Sequence, residues 1–316
     1  MLYSIKKPFA IHHIQQNNHT LYFEEYGNLD GIPAIFLHGG PGSGCNDSQK
    51  AIFDYKKYRV VFLDQRGSGK SSPKGSTRNN TTSKLIEDIE VVRKYLKIES
   101  WVVVGGSWGA TLALAYAQVH TSKVESIILR ALFLGTKKEI NWAFFDAPLK
   151  FRPELIYRLN QLLNNKKLVN PIFALGKMLQ SKNNQIRILG ANLWLAYESN
   201  LSSIQFNYNS FNEVLSNSIK KTKLIPNTPF LEWHYIKNNF FLKPNQLLKN
   251  KKKLSKIPIS IIQSDYDLLC PPLTSFNFAS GLPNCKIFRI ASAGHYISDP
   301  GVKEMMKKLL DEYEKF

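Results

Sequence analysis

The apolar positions of the chain follow two periodicities. Mostly apolar runs occupy residues 33–38, 58–63, 101–104 and 124–129, and glycine or polar residues follow them. Unbroken runs of this length are the pattern of strands buried on both faces, as in a parallel sheet. Between the second and third runs, Leu85, Ile86, Ile89, Val92 and Leu96 recur at helical spacing. Thr81, Thr82 and Ser83 offer side-chain oxygens to cap that helix. After the third run, Ala110, Ala113, Ala115 and Ala117 predict a small-surfaced helix able to pack closely on a sheet. Strands alternating with helices predict an α/β architecture.

The pattern changes between residues 134 and 246. Strand periodicity disappears, helical stretches are predicted over 153–163, 171–180 and 186–198, and Trp, Tyr and Phe are frequent. Apolar runs then return at 257–262, ending at Asp265-Tyr266-Asp267, and at 285–290, ending at Gly294-His295. A closing helix is predicted over 305–316. The reading is one α/β unit, residues 1–133 and 247–316, interrupted by a helical cap over 134–246, with no internal repeat or low-complexity linker.

Composition narrows the class. Of 316 residues, 43% are hydrophobic and 21% charged, which excludes a disordered chain and a coiled coil. No apolar run reaches the roughly 18 residues of a membrane helix. The first eight residues lack the apolar core and cleavage site of a secretory signal. Cys45, Cys270 and Cys285 are widely spaced and form neither a disulfide framework nor a paired metal motif. The expectation is a cytoplasmic protein with no membrane partner. The charge balance, 42 Lys and Arg against 24 Asp and Glu, gives +18. Nucleic-acid binding would require a gathered basic face. Here the lysines are dispersed in pairs such as Lys56-Lys57 and Lys166-Lys167. Only Lys249 to Lys256 is dense, and its place between apolar segments predicts a surface loop. No zinc-finger spacing or RNA-binding aromatic motif is present, so the reading is a solvated lysine surface with no nucleic-acid partner.

The chemistry begins at Gly105-Gly106-Ser107-Trp108-Gly109, between a predicted strand and the alanine-rich helix. Small residues flanking a serine in this context let the backbone turn sharply and expose the hydroxyl, the nucleophile elbow. A serine needs a base, and the base needs an orienting acid; in this architecture they follow in the order Ser, Asp, His at strand ends. Asp267 and His295 occupy those places, and Asp265 competes as the acid. Asp267 is preferred because it lies further into the loop. His12, His13 and His19 lie in the N-terminal stretch, and His38, His120 and His234 fit the order less well. Acyl transfer also needs two N–H donors for the oxyanion. One is expected from Trp108, and the other from Gly40 in the loop His38-Gly39-Gly40-Pro41-Gly42.

These segments together resemble the prolyl aminopeptidases (proline iminopeptidases), serine peptidases of the α/β-hydrolase fold. The resemblance rests on His-Gly-Gly-Pro-Gly at 38–42, Asp-Gln-Arg-Gly-Ser-Gly-Lys-Ser at 64–71 and Gly-Gly-Ser-Trp-Gly at 105–109. It continues through Leu129-Arg130-Ala131-Leu132-Phe133, Glu232-Trp233-His234-Tyr235, Asn245-Gln246-Leu247-Leu248 and Gly294-His295, and is weak only over about 147–190. It implies release of an N-terminal proline, with cap carboxylates holding the imino group. Glu198, in Trp194-Leu195-Ala196-Tyr197-Glu198, and Glu232 match those carboxylates. Phe133 matches a residue lining the proline pocket, and Arg130 and Cys270 match residues near it. Two segments depart from the family: Ala143-Phe144 replaces a tyrosine position, and Ser264-Asp265 replaces Gly-Arg. The expected function is a serine aminopeptidase acting on peptides with N-terminal proline, without metal or cofactor. The alternative is an esterase or amidase of the same fold.

Overall fold

The six apolar runs form the parallel part of one eight-stranded sheet in a computed structural model, which describes residues 2–207, 209–219 and 226–314. The strands are β1 (Ala10–Gln16), β2 (His19–Gly27), β3 (Ile32–Leu37), β4 (Tyr58–Asp64), β5 (Trp101–Ser107), β6 (Val124–Leu132), β7 (Ile259–Ser264) and β8 (Cys285–Ile290). Their order is β1-β2-β4-β3-β5-β6-β7-β8. β2 runs antiparallel to β1 and β4, and the pairings from β4 through β3 to β8 are parallel. The helices that bear on the site are α1 (Thr82–Tyr95), α2 (Trp108–Val119), α3 (Pro153–Leu162), α4 (Ile172–Leu179), α5 (Asn184–Ser202), α6 (Thr228–Lys237) and α7 (Val302–Glu312).

The unbroken runs have a direct cause in this layering. Along β3 and β4, Ile35, Leu37, Val61 and Leu63 face one core, with Leu85, Ile89 and Val92 of α1 and Ala113 of α2. The alternating Ala34, Phe36, Val60 and Phe62 face a second core, with Val302, Met306 and Leu310 of α7. Both faces are covered, so no polar alternation survives. Each fully buried Val, Leu or Ile contributes about 1.5–3 kcal/mol of transfer free energy. α2 is buried from Trp108 to Gln118, which explains why it is apolar all round. Thr81 caps α1 by accepting the Lys84 N–H.

Between Leu132 and Ile259 the described residues hold helices and no strand. There α6 packs against α4 and α5. Two expectations need correction, and one segment went unpredicted. The N-terminal stretch, for which no element was predicted, forms β1 and β2. The dense lysines at 249–256 are not a loop. Lys249 and Lys251–Lys253 lie on two short helical turns, Gln246–Lys249 and Lys251–Leu254, where Lys251 Nζ donates to the carbonyls of Asn277 and Phe278 at 3.1 Å, and only Lys256 follows them. The closing helix begins at Val302, and Lys315 and Phe316 lie outside the described residues. Among the described residues no helix is long and apolar enough to cross a membrane.

Candidate active site

Ser107 closes β5 with φ +56°, the left-handed region that side chains adopt at a cost, and the next residue starts α2. Such a turn persists only where its surroundings enforce it. Gly109 lies so close to the end of β3 that a Cβ there would sit 2.0 Å from the Leu37 carbonyl oxygen. The elbow is thereby pressed against the loop that leaves β3. That loop turns at Gly40, with φ +102°, a conformation suited to glycine.

Two buried side chains hold loop and elbow together. His38 Nε2 accepts the Gln65 backbone N–H at 3.0 Å, and its Nδ1–H donates to the Gly39 carbonyl at 2.9 Å. Burial pulls the His38 pKa down and keeps the ring neutral, as that pairing requires. Gln65 donates from Nε2 to the His38 carbonyl at 2.8 Å and accepts the Trp108 indole N–H at 2.8 Å. One amide thus bridges the two segments predicted to carry the oxyanion donors. Sequence reasoning passed over Gln65, although it stands directly after β4 in the quoted Asp-Gln-Arg-Gly motif.

Asp267 lies in the loop after β7 and is 2% exposed. Its carboxylate accepts the backbone N–H groups of Leu269 at 3.0 Å and Cys270 at 2.8 Å. Both its oxygens approach His295 Nδ1, at 3.0 and 2.9 Å. Asp265, the competing acid, pairs instead with Arg289 at 2.8 Å. His295 is fixed through its backbone as well: its N–H donates to Ser202 of α5 at 3.0 Å, and its carbonyl accepts Arg130 Nη1 at 2.7 Å. Arg130 therefore bears on the histidine rather than lining the cavity. No hydrogen bond joins Ser107 to His295 among the described residues, and such contacts are often long without substrate.

Beside Ser107 lies a cavity of about 50 Å³. Gly40 and Ser107 border it at the strand ends, Phe133 and Phe144 supply apolar surface, and Glu198 of α5 and Glu232 of α6 supply carboxyl groups. Glu232 accepts the Trp194 indole N–H at 2.5 Å. Burial pushes both carboxyls above the ordinary carboxylate range, and the charge of Glu198 pushes Glu232 further. Two buried acids side by side are neutralised either by a shared proton or by a cation between them. Ala143 and Phe144, which depart from the family pattern, both line this cavity. They sit in a π-helical turn, Trp142–Asp146, where the Phe144 carbonyl accepts the Tyr197 hydroxyl at 2.9 Å. Cys270 also borders the cavity, and burial pushes its thiol well above the usual value, which disfavours a reactive thiolate. Ligand atoms of Asp267, Cys270 and His295 lie within 4.8 Å of one another. A metal held there would displace the Asp267–His295 hydrogen bonds.

The sheet order, the strained serine after β5 and the acid and histidine at later strand ends define an α/β hydrolase. The family model for the alpha/beta hydrolase fold matches residues 33–302. Among curated relatives, a proline iminopeptidase of Arabidopsis thaliana is 35% identical over 98% of this chain and 83% of that protein. One from Neisseria gonorrhoeae is 33% identical over 98% of both chains. The chain belongs to the proline iminopeptidase family and is an enzyme of the hydrolase class. The solved proline iminopeptidase of Mycobacterium smegmatis superposes with a TM-score of 0.63 over 96% of this chain and 98% of that one; at 17% identity it shows the fold.

Proposed function

We propose that this protein is a serine aminopeptidase that releases N-terminal proline from peptides. The observation that carries this reading is the buried carboxylate pair, Glu198 and Glu232, in the same small cavity as Ser107. The imino cation of an N-terminal proline sits between the carboxylates, and Phe133 and Phe144 pack on its ring. His295 Nε2 takes the Ser107 proton as Oγ attacks the prolyl carbonyl. Asp267 holds Nδ1–H and stabilises the imidazolium. The N–H groups of Gly40 and Trp108 donate hydrogen bonds to the oxyanion. The tetrahedral intermediate collapses, His295 protonates the leaving amine, and the C–N bond breaks to leave a prolyl ester on Ser107. Water, deprotonated by His295, then hydrolyses that ester and frees proline. Arg130 and Cys270 support the walls around His295 and the cavity. Residues 134–246 act as a cap that carries both glutamates over the sheet. The free cysteines, Cys45, Cys270 and Cys285, support a cytoplasmic location, and dispersed lysines support peptides rather than nucleic acid as partners.

The test is a panel of aminoacyl amides and short acyl esters. The expected result is a kcat/KM for prolyl amide at least roughly 10-fold above every other amino acid, lost by several orders of magnitude in Ser107→Ala. A preference for acyl esters over prolyl amide would make the protein an esterase.

A further inference from the structure

Asn239, Phe240 and Phe241 have φ of +50°, +55° and +53°. Three successive left-handed residues without a glycine are costly for L-amino acids, and local sequence offers no reason for them. The surroundings must hold them. The hydroxyl of Thr82, at the start of α1, donates to the Phe240 carbonyl. The Phe240 ring is 3% exposed. It stands edge-on to Phe133 with centroids 5.0 Å apart and stacks on the Trp108 indole at 5.8 Å.

That strained position puts the ring between two spaces. On one side is the cavity of about 50 Å³ with Ser107 and the two glutamates. On the other is an outer cleft of about 390 Å³, bordered by Lys137, Asn170 and Lys237. Ile140, Ile236 and Phe240 line both. Phe240 is the bulkiest of the three and the one stacked on the elbow's tryptophan. We propose that Phe240 is a specificity-determining partition, which closes the amine-binding cavity down to the size of a small ring. This rests on the reading of that cavity as the proline pocket. Longer side chains at the substrate N-terminus need the space the Phe240 ring occupies. With the ring removed, the two spaces merge and longer residues fit beside the same carboxylates.

The experiment compares kcat/KM for prolyl, leucyl and phenylalanyl amides in wild type, Phe240→Leu and Phe240→Ala, with thermal melts to establish folding. The prolyl-to-phenylalanyl ratio is expected to fall roughly 10-fold or more in Phe240→Ala and by less in Phe240→Leu. If the alanine variant does not fold, the leucine variant decides. Unchanged ratios in a folded variant, with prolyl turnover intact in the wild type, overturn the partition alone. A wild type that leaves prolyl amide uncleaved overturns the proline pocket itself, and the partition with it.

Discussion

At the scale of single residues, the proposed roles of Glu198 and Glu232 set stability against binding. The fold raises both carboxyl pKa values, chiefly by burial, so it favours their protonated forms. Stability from that preference is complete below the ordinary carboxyl pKa and is lost as pH rises through the raised value. Glutamine mimics the protonated acid. The melting temperature of Glu232→Gln relative to wild type should therefore climb from pH 5 to pH 8; a variant equally less stable at every pH would contradict this. Activity should move the other way: each Glu→Gln change should lower kcat/KM for prolyl amide by roughly 10-fold or more, the worth of a lost charged contact. Gln65 supports a different expectation. Gln65→Ala removes the bridge between the His38 carbonyl and Trp108, so kcat should fall roughly 10-fold or more while KM stays near wild type. A rise in KM with kcat preserved would show that Gln65 shapes binding instead. Ser107 and His295 were legible because each sits in a local motif. Gln65 was not, because its role exists only where residues 38, 65 and 108 meet in space.

At the scale of elements, the sequence displayed what burial on both faces imposes. The predicted run at 285–290 coincides with β8, and the helices at 153–163 and 171–180 match α3 and α4 to within one residue at each end. β1 and β2 escaped because one sets its two isoleucines three apart among paired histidines and glutamines, which breaks the alternation of a strand, and the other carries Glu24 and Glu25 in a buried stretch. Glu24 is tolerated there because Lys50 at 2.9 Å and Lys70 at 2.8 Å meet its carboxylate, with Tyr22 and Tyr26 donating as well. Burial alone would raise its pKa, but these hydrogen bonds bring it down to about 2. A depressed pKa contributes stability above the ordinary carboxyl value, lost as pH falls toward 2. Glu24→Gln should therefore cost about 3 kcal/mol near neutrality, with the gap to wild type closing in acid. Urea titrations at pH 7 and pH 3 measure both, and equal losses at the two values would rule out the ionic explanation.

For the whole molecule, the net charge of +18 opposes the cationic N-terminus of the proposed substrate. The lysines are spread over the surface, and beyond roughly 8 Å physiological salt screens them. Raising ionic strength from about 10 mM to 150 mM should increase kcat/KM for a prolyl amide by roughly two-fold, as long-range repulsion is lost while the buried pair is little affected. A steep fall with salt would place the decisive attraction on the surface. This charge belongs to the whole chain, whereas the proposed recognition of the substrate rests on two glutamates more than 30 positions apart on α5 and α6. Their meeting over Ser107 was legible only through family resemblance, since a lone glutamate on a helix is ordinarily a solvated surface charge. The central claim is that these carboxylates read a free imino nitrogen. It is tested most directly by comparing kcat/KM for prolyl amide and N-acetylprolyl amide in the wild-type enzyme. Acetylation should lower the value at least roughly 10-fold. Equal cleavage of the two substrates would mean that Glu198 and Glu232 do not recognise the N-terminus, and the aminopeptidase reading would fall.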